Sequence, residues 1–231
     1  MLWHKIQGAG GVGGAAGITF VGAVTYDDGG TNTRYFGPIG TNGWAANPDY
    51  VDIESIAQDG DLVVLAVSTD NGPDSDWTWG TGATFTEICA NNAAVRNQTL
   101  YRFWQSGDTN PAPDYVSGYN GISVVAAVFR GVNSYLSCDS AGTGAGMPDP
   151  PSLTQSGTKL WVAVGHLDDD QVTMTAQTNF TMAGADSGSF NSAASSTGIS
   201  YWITNSQTTV DPDAFGGGGS DANMARTIAF D

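Results

Sequence analysis

The side chains in this chain best suited to chemistry are carboxylates. Of 23 acidic residues, all but Glu54 and Glu87 are aspartates. They gather at two matched places: Asp70, Asp74 and Asp76 come after one apolar run, and Asp168, Asp169 and Asp170 after another. Oxygen-rich turns of this kind are candidate Ca²⁺ ligands, since the ion takes roughly six to eight oxygens. The spacing does not fit an EF-hand loop, so solvated charge at strand ends is the simpler reading and calcium the alternative. A glycosidase needs two opposed carboxylates, but aspartates this numerous make coincidental pairs inevitable. A Ser/His/Asp device would have to use His166 with Asp168 to Asp170. No Gly-x-Ser-x-Gly elbow accompanies them, and His166 reads as a strand-end residue. Gly8-x-Gly10-x-x-Gly13 matches the dinucleotide fingerprint, with Asp27 near the ribose-binding distance. The next segment, Ile18-Thr-Phe-Val-Gly-Ala-Val-Thr-Tyr26, is a β-branched stretch where that fingerprint requires a helix. No catalytic centre and no required cofactor emerges.

Two other groups are candidates for binding. Trp77, Trp79, Tyr101 and Tyr119 could form a sugar-stacking platform on a β surface, although core packing accounts for most large aromatics without further assumptions. Leu2, Trp3, His4, Lys5 and Ile6 form a small amphipathic tag ahead of a glycine run ending at Gly17. Residues 1–17 are therefore expected to be an arm and linker that docks on a partner.

Elements able to position these groups are short strands. Gly60-Asp-Leu-Val-Val-Leu-Ala-Val-Ser-Thr-Asp70 and Gly157-Thr-Lys-Leu-Trp-Val-Ala-Val-Gly-His-Leu-Asp168 each run from a glycine turn through apolar residues to an aspartate loop, and are too brief for helices. The 32 glycines far exceed the usual share of roughly 7% and imply many tight turns. After Gly60 the strands expected are 61–69, 84–89, 99–104 and 122–129; after Gly157 they are 159–167, 179–182, 198–203 and 225–230. Landmarks recur at offsets of 97 for Gly60 and Gly157, 98 for Asp70 and Asp168, 95 for Phe85 and Phe180, and 101 for Phe129 and Phe230. This predicts a single β-sandwich domain over 18–231, made of two four-strand repeats, about 60–131 and about 157–231. Eight strands in two sets of four are the number of a jelly roll, with strands at 18–26 and 50–56 as additions. The central runs are apolar on both faces, so something beyond two sheets must cover the outer faces: the added strands, long loops or a second subunit.

A net charge of −16 makes nucleic acid an unlikely partner, because phosphate is repelled. No run approaches the roughly 18 apolar residues of a membrane span, and the N-terminus lacks a signal peptide's apolar core. Synthesis in a reducing cytoplasm is therefore expected, with Cys89 and Cys138 as buried free thiols in no metal-binding spacing.

Gly60 to Val67, Gly82-Ala-Thr-Phe-Thr86, Leu100-Tyr-Arg-Phe103, Val125-Ala-Ala-Val-Phe-Arg-Gly131 and the closing Thr227-Ile-Ala-Phe230 together resemble the jelly-roll-like β-sandwich proteins of tailed bacteriophages. The resemblance covers about 18–231 and brings no catalytic residues. It implies a non-enzymatic structural protein, made in the host cytoplasm and placed on the virion exterior as a capsid decoration or a tail or fibre component. Such a protein acts through contacts with other virion proteins and with its own copies as a homo-oligomer. The competing reading is a carbohydrate-binding adhesin whose aromatics contact a host surface glycan.

Overall fold

A computed structural model of the chain describes residues 17–25, 52–69, 78–81, 84–89, 96–114, 123–143, 145–168, 172–190, 193–219 and 221–231. Among these the protein is all-β. The first half contributes β1 (Thr19–Thr25), β2 (Leu62–Thr69), β3 (Thr78–Thr81), β4 (Thr86–Glu87), β5 (Arg96–Phe103), β6 (Ala112–Asp114) and β7 (Ser123–Arg130). The second contributes β8 (Tyr135–Thr143), β9 (Leu153–Thr154), β10 (Leu160–Asp168), β11 (Thr181–Phe190), β12 (Ala193–Ile203), β13 (Thr209–Val210) and β14 (Asn223–Phe230). The β-branched and aromatic residues filling β2, β7, β10 and β14 favour a pleated, buried backbone, and β2 and β14 are buried at every position. A left-handed glycine precedes each central strand, Gly60 at φ 85° and Gly157 at φ 79°. A side chain at either position would strain the turn.

Five strands of each half form one antiparallel sheet. The first sheet has the order β1-β7-β2-β5-β4 and the second β11-β12-β10-β14-β8. Read from its other edge, the second repeats the first strand for strand. Registers agree as well: Leu62 pairs with Phe129 and Phe103, as Leu160 does with Phe230 and Ile203. Thr86 lies opposite Tyr101, and Thr181 opposite Tyr201. Even the bulges coincide, since the ladder skips one residue after Phe20 opposite Phe129 and one after Tyr135 opposite Phe230. An extra residue in one strand bends and twists it locally, so both edge strands are bent at the same point.

The sheets pack face to face, with β11 over β1 and β7, β12 over β7 and β2, and β10 over β2 and β5. One apolar core lies between them, with Leu62, Val64, Val125 and Phe129 from one half and Leu160, Val162, Ile199 and Phe230 from the other. Two aromatic triads close it. Phe20 stacks on Tyr201 at 4.9 Å with Phe129 edge-on, and Tyr135 stacks on Tyr101 at 5.2 Å with Phe230 edge-on. Each triad takes two rings from one half and one from the other, the exchange that a twofold axis between the sheets would produce.

Several expectations change here. A jelly roll of two Greek keys mixes strands of both halves in each sheet, whereas here each half supplies a sheet of five strands to itself. The strand expected at 50–56 is instead a turn over 52–57, closed by Ile56 and Ala57 N–H donating to the Ile53 carbonyl. Ile53 and Ile56 pack on Val63, Leu65 and Val67, and so cover the outer face of the first sheet. The outer face of the second sheet is covered by Met147, Leu153, Met174, Val210 and Phe215 from its own connections. The strand at 18–26 covers neither face; as β1 it forms a sheet edge. Cys89 and Cys138 are not free thiols. They form a disulfide, Cα to Cα 6.1 Å, joining the end of β4 to β8 across the sandwich.

A buried polar layer as candidate functional site

The central strands carry apolar residues on the inner face at one end and polar residues towards the other, although β14 returns to an apolar residue, Met224, beyond Arg226. On β2 the inner face reads Leu62, Val64, Ala66, Ser68; on β5 Phe103, Tyr101, Thr99, Asn97; on β7 Phe129, Ala127, Val125, Ser123. Across from them β10 reads Leu160, Val162, Val164, His166; β12 Ile203, Tyr201, Ile199, Thr197, Ser195; and β14 Phe230, Ile228, Arg226. Side chains alternate between the faces of a strand, so these polar residues point into the sandwich and are buried there.

They bond to one another from sheet to sheet. Arg226 Nη1 donates to Asn97 Oδ1 at 2.6 Å and to Thr99 Oγ1 at 3.1 Å. Thr99 Oγ1 is 3.2 Å from His166 Nε2, and His166 Nδ1 is 3.5 Å from Thr197 Oγ1. Thr197 Oγ1 meets Ser123 Oγ at 2.7 Å, which is 3.1 Å from Ser195 Oγ, and Ser195 Oγ donates to the Ser68 carbonyl at 3.2 Å. A hydroxyl has one hydrogen to give. It also has two lone pairs, so Thr99 can accept from the Arg226 cation and still either give to or take from His166 Nε2, according to the imidazole tautomer. Ser195 Oγ is the donor towards both Ser123 Oγ and the Ser68 carbonyl. The contacts thus form one continuous chain between the Arg226 cation and the Ser68 carbonyl.

Burial sets the charge states in this layer. Burial, helped by the nearby Arg226 cation, pushes the His166 pKa well below its ordinary 6.5; the imidazole is therefore neutral, as a donor and acceptor in one chain must be. Burial lowers Arg226 to about 10, against a Coulombic pull from Glu87 that raises it. Arg226 therefore stays charged at neutral pH, fully buried, and its Nε and Nη2 have no hydrogen-bond partner. Beside this layer, Asp186 on β11 accepts from the Val124 N–H at 2.8 Å and fastens the start of β7 to the opposite sheet.

The layer can hold the two sheets at one offset, because each of its bonds requires a particular residue opposite another. It presents no hydroxyl activated towards solvent: His166 is enclosed, and its partners are two threonines. His166 lies two residues from the end of β10, close to where it was expected, but as an enclosed link between the sheets.

The other candidates are scattered. Tyr101 lies between the sheets, in the triad with Tyr135 and Phe230. Trp79 lies on β3, and Trp77 and Tyr119 fall outside the described residues. Asp168 ends β10, its N–H donating to the Ala222 carbonyl; Asp70, Asp74, Asp76, Asp169 and Asp170 are outside the described residues. Among the described residues no three His, Cys, Asp or Glu side chains converge as metal ligands. Leu2, Trp3, His4, Lys5 and Ile6 likewise lie outside. Arg226, Thr99 and Asn97 were missed by sequence reasoning, although parity was available as a signal, since Arg226 alternates in phase with Ile228 and Phe230. No protein-family model matches the chain, and no curated protein and no solved structure matches it either.

Proposed function

We propose that this chain is a non-enzymatic structural protein of a tailed-phage virion exterior, built by duplication of a five-strand sheet unit and acting through protein contacts. The observation that carries the reading is the closure of the body. Its described polar network is sealed between the sheets, and each sheet's outer face is covered by its own connections. Such a body serves as a rigid mount for what it displays rather than as a vessel for a substrate. The duplication is supported by the matching strand orders, registers and bulges. An inter-sheet disulfide suits a particle that ends its life outside a reducing cytoplasm. The acidic balance keeps such a coat protein soluble and away from packaged nucleic acid. Residues 1–17 remain the proposed docking arm.

Antibody raised against the purified protein should label intact particles of the phage that encodes it. Deleting residues 2–16 should abolish the label while leaving the thermal unfolding of the purified protein unchanged. Absence of label from wild-type particles, whether intact or disrupted, sinks the virion reading; undiminished label on the deletion particles sinks the docking arm.

A further inference from the structure

Arginine has a preferred edge for carboxylates: Nε–H and the adjacent Nη2–H lie parallel and match the two oxygens of a carboxyl group. Two other arginines of this chain use that edge in the same way. Arg102 gives Nε and Nη2 to the two oxygens of Asp108, both at 2.6 Å. Arg130 gives Nε and Nη2 to Asp61 at 2.9 and 2.8 Å. Arg226 is the exception. Its Nη1 is used by Asn97 and Thr99, while Nε and Nη2 are without a partner in the sandwich interior.

Leaving a charge and its donors buried without an acceptor costs several times what a lost surface hydrogen bond costs. The neighbouring side chains of the polar layer cannot relieve it. Asn97 and Thr99 are already engaged at Nη1, and His166 is neutral and faces two hydroxyls. The hydroxyl of Ser68, which sits opposite Asn97 in register, is itself buried without a partner. Glu87 acts on Arg226 through its field and not through a hydrogen bond to it.

We propose that the Nε/Nη2 edge of Arg226 is a binding site for one small carboxylate-shaped monoanion, of formate or acetate size, enclosed between the sheets. The anion supplies the two acceptors the guanidinium lacks and neutralises the buried charge. No bond is made or broken, and the gain appears as added stability of the folded chain. The site belongs to one half only: the position equivalent to Arg226, four residues before the Phe that pairs with the central leucine, is Val125 in the first half. The proposal does not depend on where the protein resides.

Thermal unfolding of the full chain tests it, in sodium formate against sodium chloride at matched ionic strength. Formate should raise Tm beyond chloride by roughly 3–6 °C for each tenfold increase above its dissociation constant. Arg226→Lys keeps the charge and loses the paired edge, and Arg226→Gln loses both; each should remove the formate-specific rise. A rise retained in Arg226→Lys would mean general charge screening and would overturn the site, as would equal curves for formate and chloride in the wild type. Should neither variant fold, crystals grown in formate decide: planar density bridging Nε and Nη2 supports the site. A single water, or the Glu87 carboxylate turned into the edge, overturns it. Glu87→Gln separates the last case in solution, because a formate response that emerges only in that variant means that Glu87 fills the edge itself.

Discussion

The two ends of the space between the sheets are built on different rules. At the end that holds Leu62 and Leu160, the triads Phe20/Phe129/Tyr201 and Tyr135/Phe230/Tyr101 repeat one geometry, although Tyr101 also meets Phe103 edge-on where the second half has Ile203. At the other end the equivalence fails. Ser68 stands where the second half has His166, and Val125 where it has Arg226, judged by pairing with the same landmark residues. Apolar packing is non-directional and tolerates many side chains of suitable volume, so two copies can keep one solution. A hydrogen-bonded layer needs a donor for each acceptor. Two identical copies of an arginine facing one another would repel, so specialisation of one copy is the natural way to build it.

The largest test of that contrast lies at the aromatic end. Phe129→Ala and Phe230→Ala each remove a buried ring of equivalent position, and each should cost about 3–5 kcal/mol by denaturant titration. The comparison needs the two values to agree within about 2 kcal/mol, the usual scatter at fixed chemistry. A much larger gap would mean that the halves are not energetic equivalents. Next comes a covalent test at the edges. Counting from Thr86 and Thr181, the third residue on is Cys89 in one half and Gly184 in the other; Cys138 pairs opposite Ile228 as Ala23 pairs opposite Ala127. A Cβ built on Gly184 would lie 3.4 Å from Ala23 Cβ, with Val125 Cγ1 at 3.0 Å having to give slightly. The double variant Ala23→Cys, Gly184→Cys should therefore close a second disulfide at the twin position, worth roughly 2 kcal/mol after strain. Two titratable thiols persisting after air oxidation would count against the equivalence.

The smallest effect concerns pH at the polar end. The folded-state pKa of His166 is depressed, so below 6.5 the unfolded chain takes up a proton that the folded chain refuses. Stability from this group is complete above that pH and falls as pH drops, with a slope approaching about 1.4 kcal/mol per pH unit. His166→Gln should flatten the wild-type curve between pH 7 and 5, when one curve is subtracted from the other. Parallel curves would show that the imidazole is not enclosed.

Much of the sandwich was legible in the chain. The apolar runs at Leu62, Val124, Leu160 and Ala225 mark the central strands β2, β7, β10 and β14, because residues buried on both faces leave a continuous signal. Phe129 and Phe230 occupy equivalent register positions, and Phe85 and Phe180 each directly precede a threonine that pairs with a tyrosine, Thr86 with Tyr101 and Thr181 with Tyr201. β8 was invisible: Tyr-Leu-Ser-Cys-Asp-Ser-Ala-Gly-Thr is mostly small and polar, and becomes a strand only because β14 offers it an edge. Which strands share a sheet could not be read either, since four-strand repeats are compatible with interleaved or separate sheets until tertiary contacts choose. The polar layer was half legible. Parity places Arg226 and His166 on an inner face, but the threonines and Asn97 that receive them come from strands far off in sequence, and no local pattern announces such a meeting. The pairing of Cys89 with Cys138 is non-local in the same sense.

That disulfide joins only one of two equivalent edges. The β4–β8 side is a spine, whereas the β1–β11 side has no covalent link among the described residues and is held by Phe20 stacked on Tyr201 and by Asp186 accepting from the Val124 N–H. The sandwich is therefore bound like a book. Thermal fluctuation or a pulling force parts its covers from the β1 edge first, and amide exchange should begin on β1 and β11 while β4 and β8 stay closed. Reduction would free the second margin and let the covers open from either side.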